Sequence, residues 1–299
     1  MTPAPGGPVH AVRVGAIVPS SGRLSLELGI SEMARRLEQA GFASLWVADH
    51  VVLPVTIESP YPFTADGKAT WATTTPYLDA LVALALMAAV TERATIGTAV
   101  LVLPLRHPVV FAKQAASIDA ASRGRLRLGV GAGWLREEFD ALNVPFDDRG
   151  SRLVEWLEIA RACWTGRPPA HESARYTLPP GVLCLPAPPR EIPVLMGGHS
   201  GAALRRAGRL AGGWLAQQSL NDVRPDELAA GLETMRAAAE AAGRDPSNLE
   251  VVLRVVDSGG RADDVAEALP ALAEAGVSEV IVNVDWVADV AEQYARMAA

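Results

Sequence analysis

The sequence predicts an α/β protein built as a closed parallel barrel of eight strand–helix units, a (β/α)8 or TIM barrel. Three observations lead there. Short β-branched runs alternate eight times with longer stretches of helical period. The chain has 299 residues, the size of one large α/β domain rather than two small ones. Glycine-rich turns directly follow apolar runs, as at the carboxyl ends of barrel strands. An open doubly wound sheet is the rival arrangement, but it rarely needs eight regular repeats.

The elements follow in order. Residues 1–11 read as a flexible tail, and 12–299 as a single barrel domain. Val12–Val18 is the first strand. Ser25 can cap the next helix and Gly41 can end it, with Leu28, Met33 and Leu37 as its apolar stripe. "ASLWVADH" gives a second strand ending at Asp49 and His50. An insertion, Val51 to Thr74, precedes a helix at Thr75–Val90. The third strand is Ala94–Leu101, and Pro108 opens its helix from the first turn. Arg125–Val130 is the fourth, followed by a helical region from Trp134 to Trp164 that breaks near "NVPFDDRG".

A second insertion, Arg167 to Pro193, is rich in proline and reads as a loop or small hairpin before the fifth strand, Pro193–Met196. Helix Ser200–Leu210 comes next. Strands Gly213–Gln217, Leu249–Val255 and Ser278–Val284 complete the eight. Helices Pro225–Ala242, Ala262–Ala275 and Trp286–Met297 accompany them.

Composition excludes several functions. The net charge is -7 and no Lys/Arg cluster is long enough to bind nucleic acid. Lys68 and Lys113 are the only lysines. The longest apolar run, Ala80 to Val90, is too short to span a bilayer, and the N-terminus lacks the pattern of a signal peptide. A cytoplasmic protein acting on a small molecule is expected. Cys163 and Cys184 lack C-x-x-C spacing and read as buried bystander thiols. No His/Cys/Asp/Glu set has metal spacing, so no metal is expected.

Five stretches can carry chemistry. In "GVGAGW", Trp134 stands where a dinucleotide fingerprint needs its third glycine, so the cluster is either a turn that lets a ligand approach the backbone or a plain tight turn. Asp49 and His50 fit proton exchange, or a cap and a surface histidine. Arg106 can reach a phosphate or pair with a carboxylate. "LMGGHSGAAL" leaves a strand through Gly197 and Gly198 and enters a helix at Ser200. That is an anion site or an ordinary capped turn. The first insertion can line an apolar pocket with Tyr61, Phe63 and Trp71, or pack as a simple excursion.

The blocks "GFASLWVADHVVLP", "TERATIGTAVLVLPLRHPVVFAKQAASIDAASRGRLRLGVGAGWLREEFDALNVPFDDRG" and "PVLMGGHSGAALRRAGRLAGGW" resemble the luciferase-like monooxygenase superfamily, closest to its branch of oxidoreductases that use coenzyme F420, a deazaflavin. The resemblance implies the same barrel, a homodimer, and a ring bound in the barrel mouth with its phosphate on a glycine pair. It implies that His50 is the acid/base and that Asp49 contacts the deazaflavin. Ala99–Val100 falls at the family's non-prolyl cis peptide, with Val102 nearby. Ala132 and Gly133 lie against the cofactor. Gly197, Gly198, Ser200 and Gly201 take the phosphate end.

Three departures accompany this likeness. Trp134 stands where the family's sugar-phosphate dehydrogenases carry a proton-accepting glutamate. Their substrate phosphate is held largely by lysines and arginine, and lysine is nearly absent here. "AGGW" replaces the frequent Gly-Asp-Gly-Trp. The expected reaction is therefore hydride transfer between F420 and a small, fairly hydrophobic organic substrate. Trp134 joins Tyr61, Phe63 and Trp71 in the substrate pocket. An FMN-dependent monooxygenase is the first alternative, and a cofactor-binding barrel without turnover the second.

Overall fold

The computed structural model describes residues 12–64, 66–69 and 71–298. The tail expected at residues 1–11 lies outside the described residues, apart from what the sequence says of it. The strands are β1 Arg13–Ile17, β2 Ser44–Val47, β3 Thr95–Val102, β4 Leu126–Gly131, β5 His171–Glu172, β6 Thr177–Leu178, β7 Val194–Gly197, β8 Gly213–Ser219, β9 Glu250–Val256 and β10 Val277–Val282. The α-helices are α1 Gly22–Leu24, α2 Ile30–Ala40, α3 Ala80–Val90, α4 Pro108–Ala121, α5 Arg136–Ala141, α6 Arg149–Trp164, α7 Gly201–Leu210, α8 Pro225–Ala241, α9 Ala262–Glu274 and α10 Val290–Ala298.

Eight strands close into a parallel barrel in the order β1-β10-β9-β8-β7-β4-β3-β2, and β5 and β6 form the separate hairpin expected of the proline-rich insertion. This is the (β/α)8 architecture. Its strands are nearly all apolar because both faces are covered: β2 is buried at all four positions and β10 at five of six. The described residues group into two compact units, one of 12–17, 36–44 and 195–298, the other of 18–35 and 45–194.

In the second unit, β3 and β4 pair from Ile96↔Leu126 to Val102↔Gly131, with a break in register between Thr98 and Leu101. That break holds the Ala99–Val100 peptide, which is cis. Gly97 leaves room for Trp46, which is fully buried. A Cβ there would lie 2.5 Å from the Trp46 ring and 2.7 Å from the Arg127 carbonyl. In the first unit, β8 and β9 pair without a break from Gly213↔Glu250 to Ser219↔Val256. A polar layer there joins Ser44 to buried Glu279, whose second oxygen pairs with Arg13 at 3.1 Å.

Several local expectations need correction. Ser25 does not cap a helix. It lies in a π-helical turn and its hydroxyl donates back to the Gly22 carbonyl at 2.7 Å. Thr75–Leu78 is not helical. Tyr77 bridges to Ser21, Leu78 N–H donates to the Ser20 carbonyl, and the helix begins only after Asp79, which caps it through Leu81 N–H and Val82 N–H. The final helix starts at Val290 rather than Trp286. Cys163 and Cys184 are both free and buried, and burial first, then the neighbouring thiol, pushes Cys163 up to about 12. Among the described residues no helix is long and apolar enough to cross a membrane.

Candidate active site

Every residue of the first candidate cluster follows a strand of the second unit. β2 is a buried apolar strand that ends where the chain turns polar, so Asp49 and His50 emerge at its carboxyl end. Both are buried, at 5% and 8% exposure. Asp49 meets strong donors. Its Oδ2 accepts from Val102 N–H at 2.9 Å and Arg106 Nη1 at 2.7 Å, and its Oδ1 accepts from Arg106 Nη2 at 2.7 Å. This forked pair resolves the open reading of Arg106 toward a carboxylate partner. Burial alone would lower the Arg106 pKa, but Asp49 and then Asp79 more than offset it, and the guanidinium stays charged.

His50 is held from the other side. Its Nδ1 lies 3.0 Å from Oε2 of Glu138, a residue of α5 that is only 1% exposed. The other oxygen, Oε1, accepts from Val51 N–H at 2.5 Å and Val52 N–H at 3.2 Å. Glu138 was not expected from the sequence. Two adjacent glutamates on a short helix carry no sign of which one is buried. The available signal was position: Glu138 comes five residues after Gly133, where a turn of helix brings it back toward the end of β2.

Aromatic rings surround His50. Its centroid is 5.2 Å from Tyr77, 6.0 Å from Trp71 and 6.2 Å from Trp134. Tyr61 packs edge-on against Trp71 and Trp134, each at 5.1 Å, and Phe63 packs on Tyr61 at 5.4 Å. The structure thus brings together Tyr61, Trp71 and Trp134 with His50. Phe63 sits at the outer edge, 40% exposed. Tyr77 was missed because it lies in a stretch read as helix. Trp71 Nε1 is buried with no hydrogen-bond partner among the described residues.

The insertion is tied down by Glu137. Its carboxylate accepts from the Glu58 N–H at 2.6 Å, the Ser59 N–H at 2.9 Å and the Ser59 hydroxyl at 2.6 Å. Burial would raise this carboxyl, but the Ser59 hydroxyl and the backbone donors outweigh it and bring it to about 2. A lowered carboxyl supports the fold above its ordinary pKa, and that support fades as pH falls toward the folded value. Acid titration from pH 4.5 to about 2 should therefore loosen the insertion and expose its tryptophan to a fluorescence quencher. In Glu137→Gln the part of this step due to Glu137 should vanish; an unchanged step would place the acid sensitivity elsewhere.

The glycine turn follows β4. Gly133 has φ +87, and a Cβ there would lie 2.7 Å from both Val102 and Phe139. A Cβ at Gly131 would lie 2.8 Å from Val100. Both glycines are thus required by packing on β3 and α5. Ala132 is half-buried, as is Val100, while Ala99 and Val102 are buried.

The second candidate cluster belongs to the first unit. Gly197 ends β7 and Gly198 has φ +111, with a Cβ there only 2.9 Å from that of Ala203. Ser200 caps α7 by accepting from Ala203 N–H at 3.2 Å. Gly201 and Ala202 are exposed, and their N–H groups have no protein partner among the described residues. A helix start with free amides favours an anion, so these residues fit a phosphate. His199 stands beside them, missed by sequence reasoning. Its Nε2 accepts from Gln217 N–H at 3.1 Å. Burial lowers its pKa against the opposing charge of Glu227. Among the described residues no group of three or more His, Cys, Asp and Glu is placed to hold a metal ion.

Known proteins share this fold. The family described as luciferase-like monooxygenase matches residues 29–295. An uncharacterized protein of Mycobacterium bovis is 36% identical over 251 residues, covering 84% of this chain and 83% of its own. The phthiodiolone/phenolphthiodiolone dimycocerosates ketoreductase of Mycobacterium kansasii is 32% identical over 235 residues, 77% of this chain and 63% of that one. The solved structure of an F420-dependent secondary alcohol dehydrogenase, in complex with an F420–acetone adduct, has the same fold. Its TM-score is 0.76 at 16% identity, covering 97% of this chain and 98% of that one. With a match that runs across nearly the whole barrel and a relative this similar over most of both chains, the chain belongs to the luciferase-like monooxygenase family.

Proposed function

We propose that this protein is an F420-dependent oxidoreductase acting on a small, fairly hydrophobic organic substrate, with residues 12–299 as one catalytic domain. The observation that carries the reading is His50: a buried imidazole at the end of β2, fixed by Glu138 and edged by Trp71, Tyr77 and Trp134. When bound, the deazaflavin supplies or accepts a hydride at the carbon that replaces flavin's reactive nitrogen. His50 supplies or removes the accompanying proton, so that a carbonyl gaining a hydride and a proton becomes an alcohol, and the reverse. The aromatic rings keep water from the reacting atoms and give an apolar substrate its binding surface. Val102, held by Asp49, and the turn at Ala132 and Gly133 border the ring. Ser200 and the free amides of Gly201 and Ala202 hold the phosphate end.

The resemblance of the sequence blocks to the F420 branch supports this cofactor. The alcohol dehydrogenase and ketoreductase names among similar proteins support a ketone and secondary alcohol pair. A homodimer is implied by the same resemblance. The family's own description favours a second reading, an FMN-dependent monooxygenase.

Titration with F420 and with FMN tests the proposal, followed by assay with a panel of apolar ketones and secondary alcohols. Tight F420 binding with turnover is expected. Tight FMN binding alone, with oxygen uptake, would favour the monooxygenase. Binding of either without turnover of any substrate would favour a barrel that only carries the cofactor.

A further inference from the structure

We infer that Glu138 is a positioning residue for proton transfer, which fixes the proton of neutral His50 on Nδ1 and so leaves Nε2 as the atom that exchanges a proton with substrate. The inference rests on the reading of His50 as the acid/base.

An ionised carboxylate only accepts hydrogen bonds. Glu138 Oε1 is occupied by the Val51 and Val52 amides. Oε2 lies 3.0 Å from His50 Nδ1, and both side chains are buried. That contact is a hydrogen bond only if Nδ1 carries the proton. A neutral imidazole has one N–H, so Nε2 must then present its lone pair. Nε2 has no hydrogen-bond partner among the described residues, and the rings of Tyr77, Trp71 and Trp134 lie 5.2, 6.0 and 6.2 Å from the imidazole, centroid to centroid. When Nε2 takes a proton, Nδ1–H still faces the carboxylate, and the new positive charge forms beside an anion. When Nε2 gives that proton up, the same bond returns the ring to its starting tautomer. One proton moves in each direction, and Glu138 itself never changes state.

This also gives a reason for Trp134. The carboxylate that the family's sugar-phosphate dehydrogenases place directly after the glycine turn is absent here. Glu138 sits four residues later and acts through His50, leaving Trp134 free to serve as a wall of the pocket.

Glu138→Gln makes the test sharp. An amide has one oxygen, and two amides, Val51 N–H and Val52 N–H, compete for it. Its NH2 group then faces His50 Nδ1, which must become an acceptor. The proton moves to Nε2 and the ring is in the wrong tautomer for the outgoing or incoming proton. Long-range nitrogen-15 NMR of histidine-labelled protein, free of cofactor at mildly alkaline pH, reads the tautomer directly. The wild type should show the proton on Nδ1, and the variant on Nε2. In turnover, Glu138→Gln should lower kcat by about 10²-fold or more with KM changed less than about threefold. In a His50→Ala background it should lower kcat no further, because residues acting as a unit are not additive.

A wild-type ring protonated on Nε2 would overturn the inference, and this holds even if the variant does not fold. So would a Glu138→Gln variant that loses only thermal stability, with tautomer and kcat unchanged. That result would reduce Glu138 to an anchor for residues 51 and 52. Unchanged turnover in His50→Ala alone would instead remove the acid/base reading itself, whatever the tautomer.

Discussion

Replacing His50 with alanine is expected to lower kcat by about 10²–10⁴-fold, the range that a positioned acid or base contributes. F420 affinity should change less than about threefold, because the residues assigned to the phosphate lie in a different cluster, at Ser200 and Gly201. The expectation follows from placement. The ring is buried, its Nδ1 is engaged by Glu138, and aromatic side chains exclude the water that could replace it. Stopped-flow reduction or oxidation of bound cofactor would separate binding from chemistry. Equal losses in affinity and in turnover would show that His50 binds rather than transfers a proton.

Arg106→Ala should be the most damaging single change for stability near the site. It removes both forked bonds to Asp49 and the 3.3 Å contact to Asp79, leaving a carboxylate with a fully buried side chain on one backbone donor. Breaking a buried pair from one side costs about 3–5 kcal/mol, which in a chain of this size is a fall in Tm of roughly 5–8 °C. Arg106→Lys should lose less, since it keeps the charge but not the fork. Thermal unfolding followed by circular dichroism measures both. A loss below about 1 kcal/mol for Arg106→Ala would mean that Asp49 finds other donors.

Much of the barrel was legible because parallel strands covered on both faces are written as β-branched runs, and such runs are hard to mistake. β8 and β9 began within one residue of expectation. Helix starts were read well where a local device marks them, as at Pro108 and Ser200. They were misread where a distant partner decides. Thr75–Leu78 has no helix because the segment bonds back to Ser20 and to Gly22. The site divides the same way. Asp49 and His50 stood out because polar residues ended an apolar strand. The choice between a phosphate and a carboxylate for Arg106 depended on a partner 57 positions away, and the burial of Glu138 on one 88 positions away. No local pattern encodes such pairings.

The two oxygens of Glu138 divide their work between the imidazole and the first two residues of the long excursion after β2. Chemistry and the start of the cover are thus pinned together at Glu138, while the neighbouring Glu137 holds the excursion farther along, at Glu58 and Ser59, and Trp71 touches the imidazole ring. Such an arrangement is modular. Descendants of this chain could rewrite the outer loop to welcome new molecules, length and composition alike, and inherit the proton machinery intact.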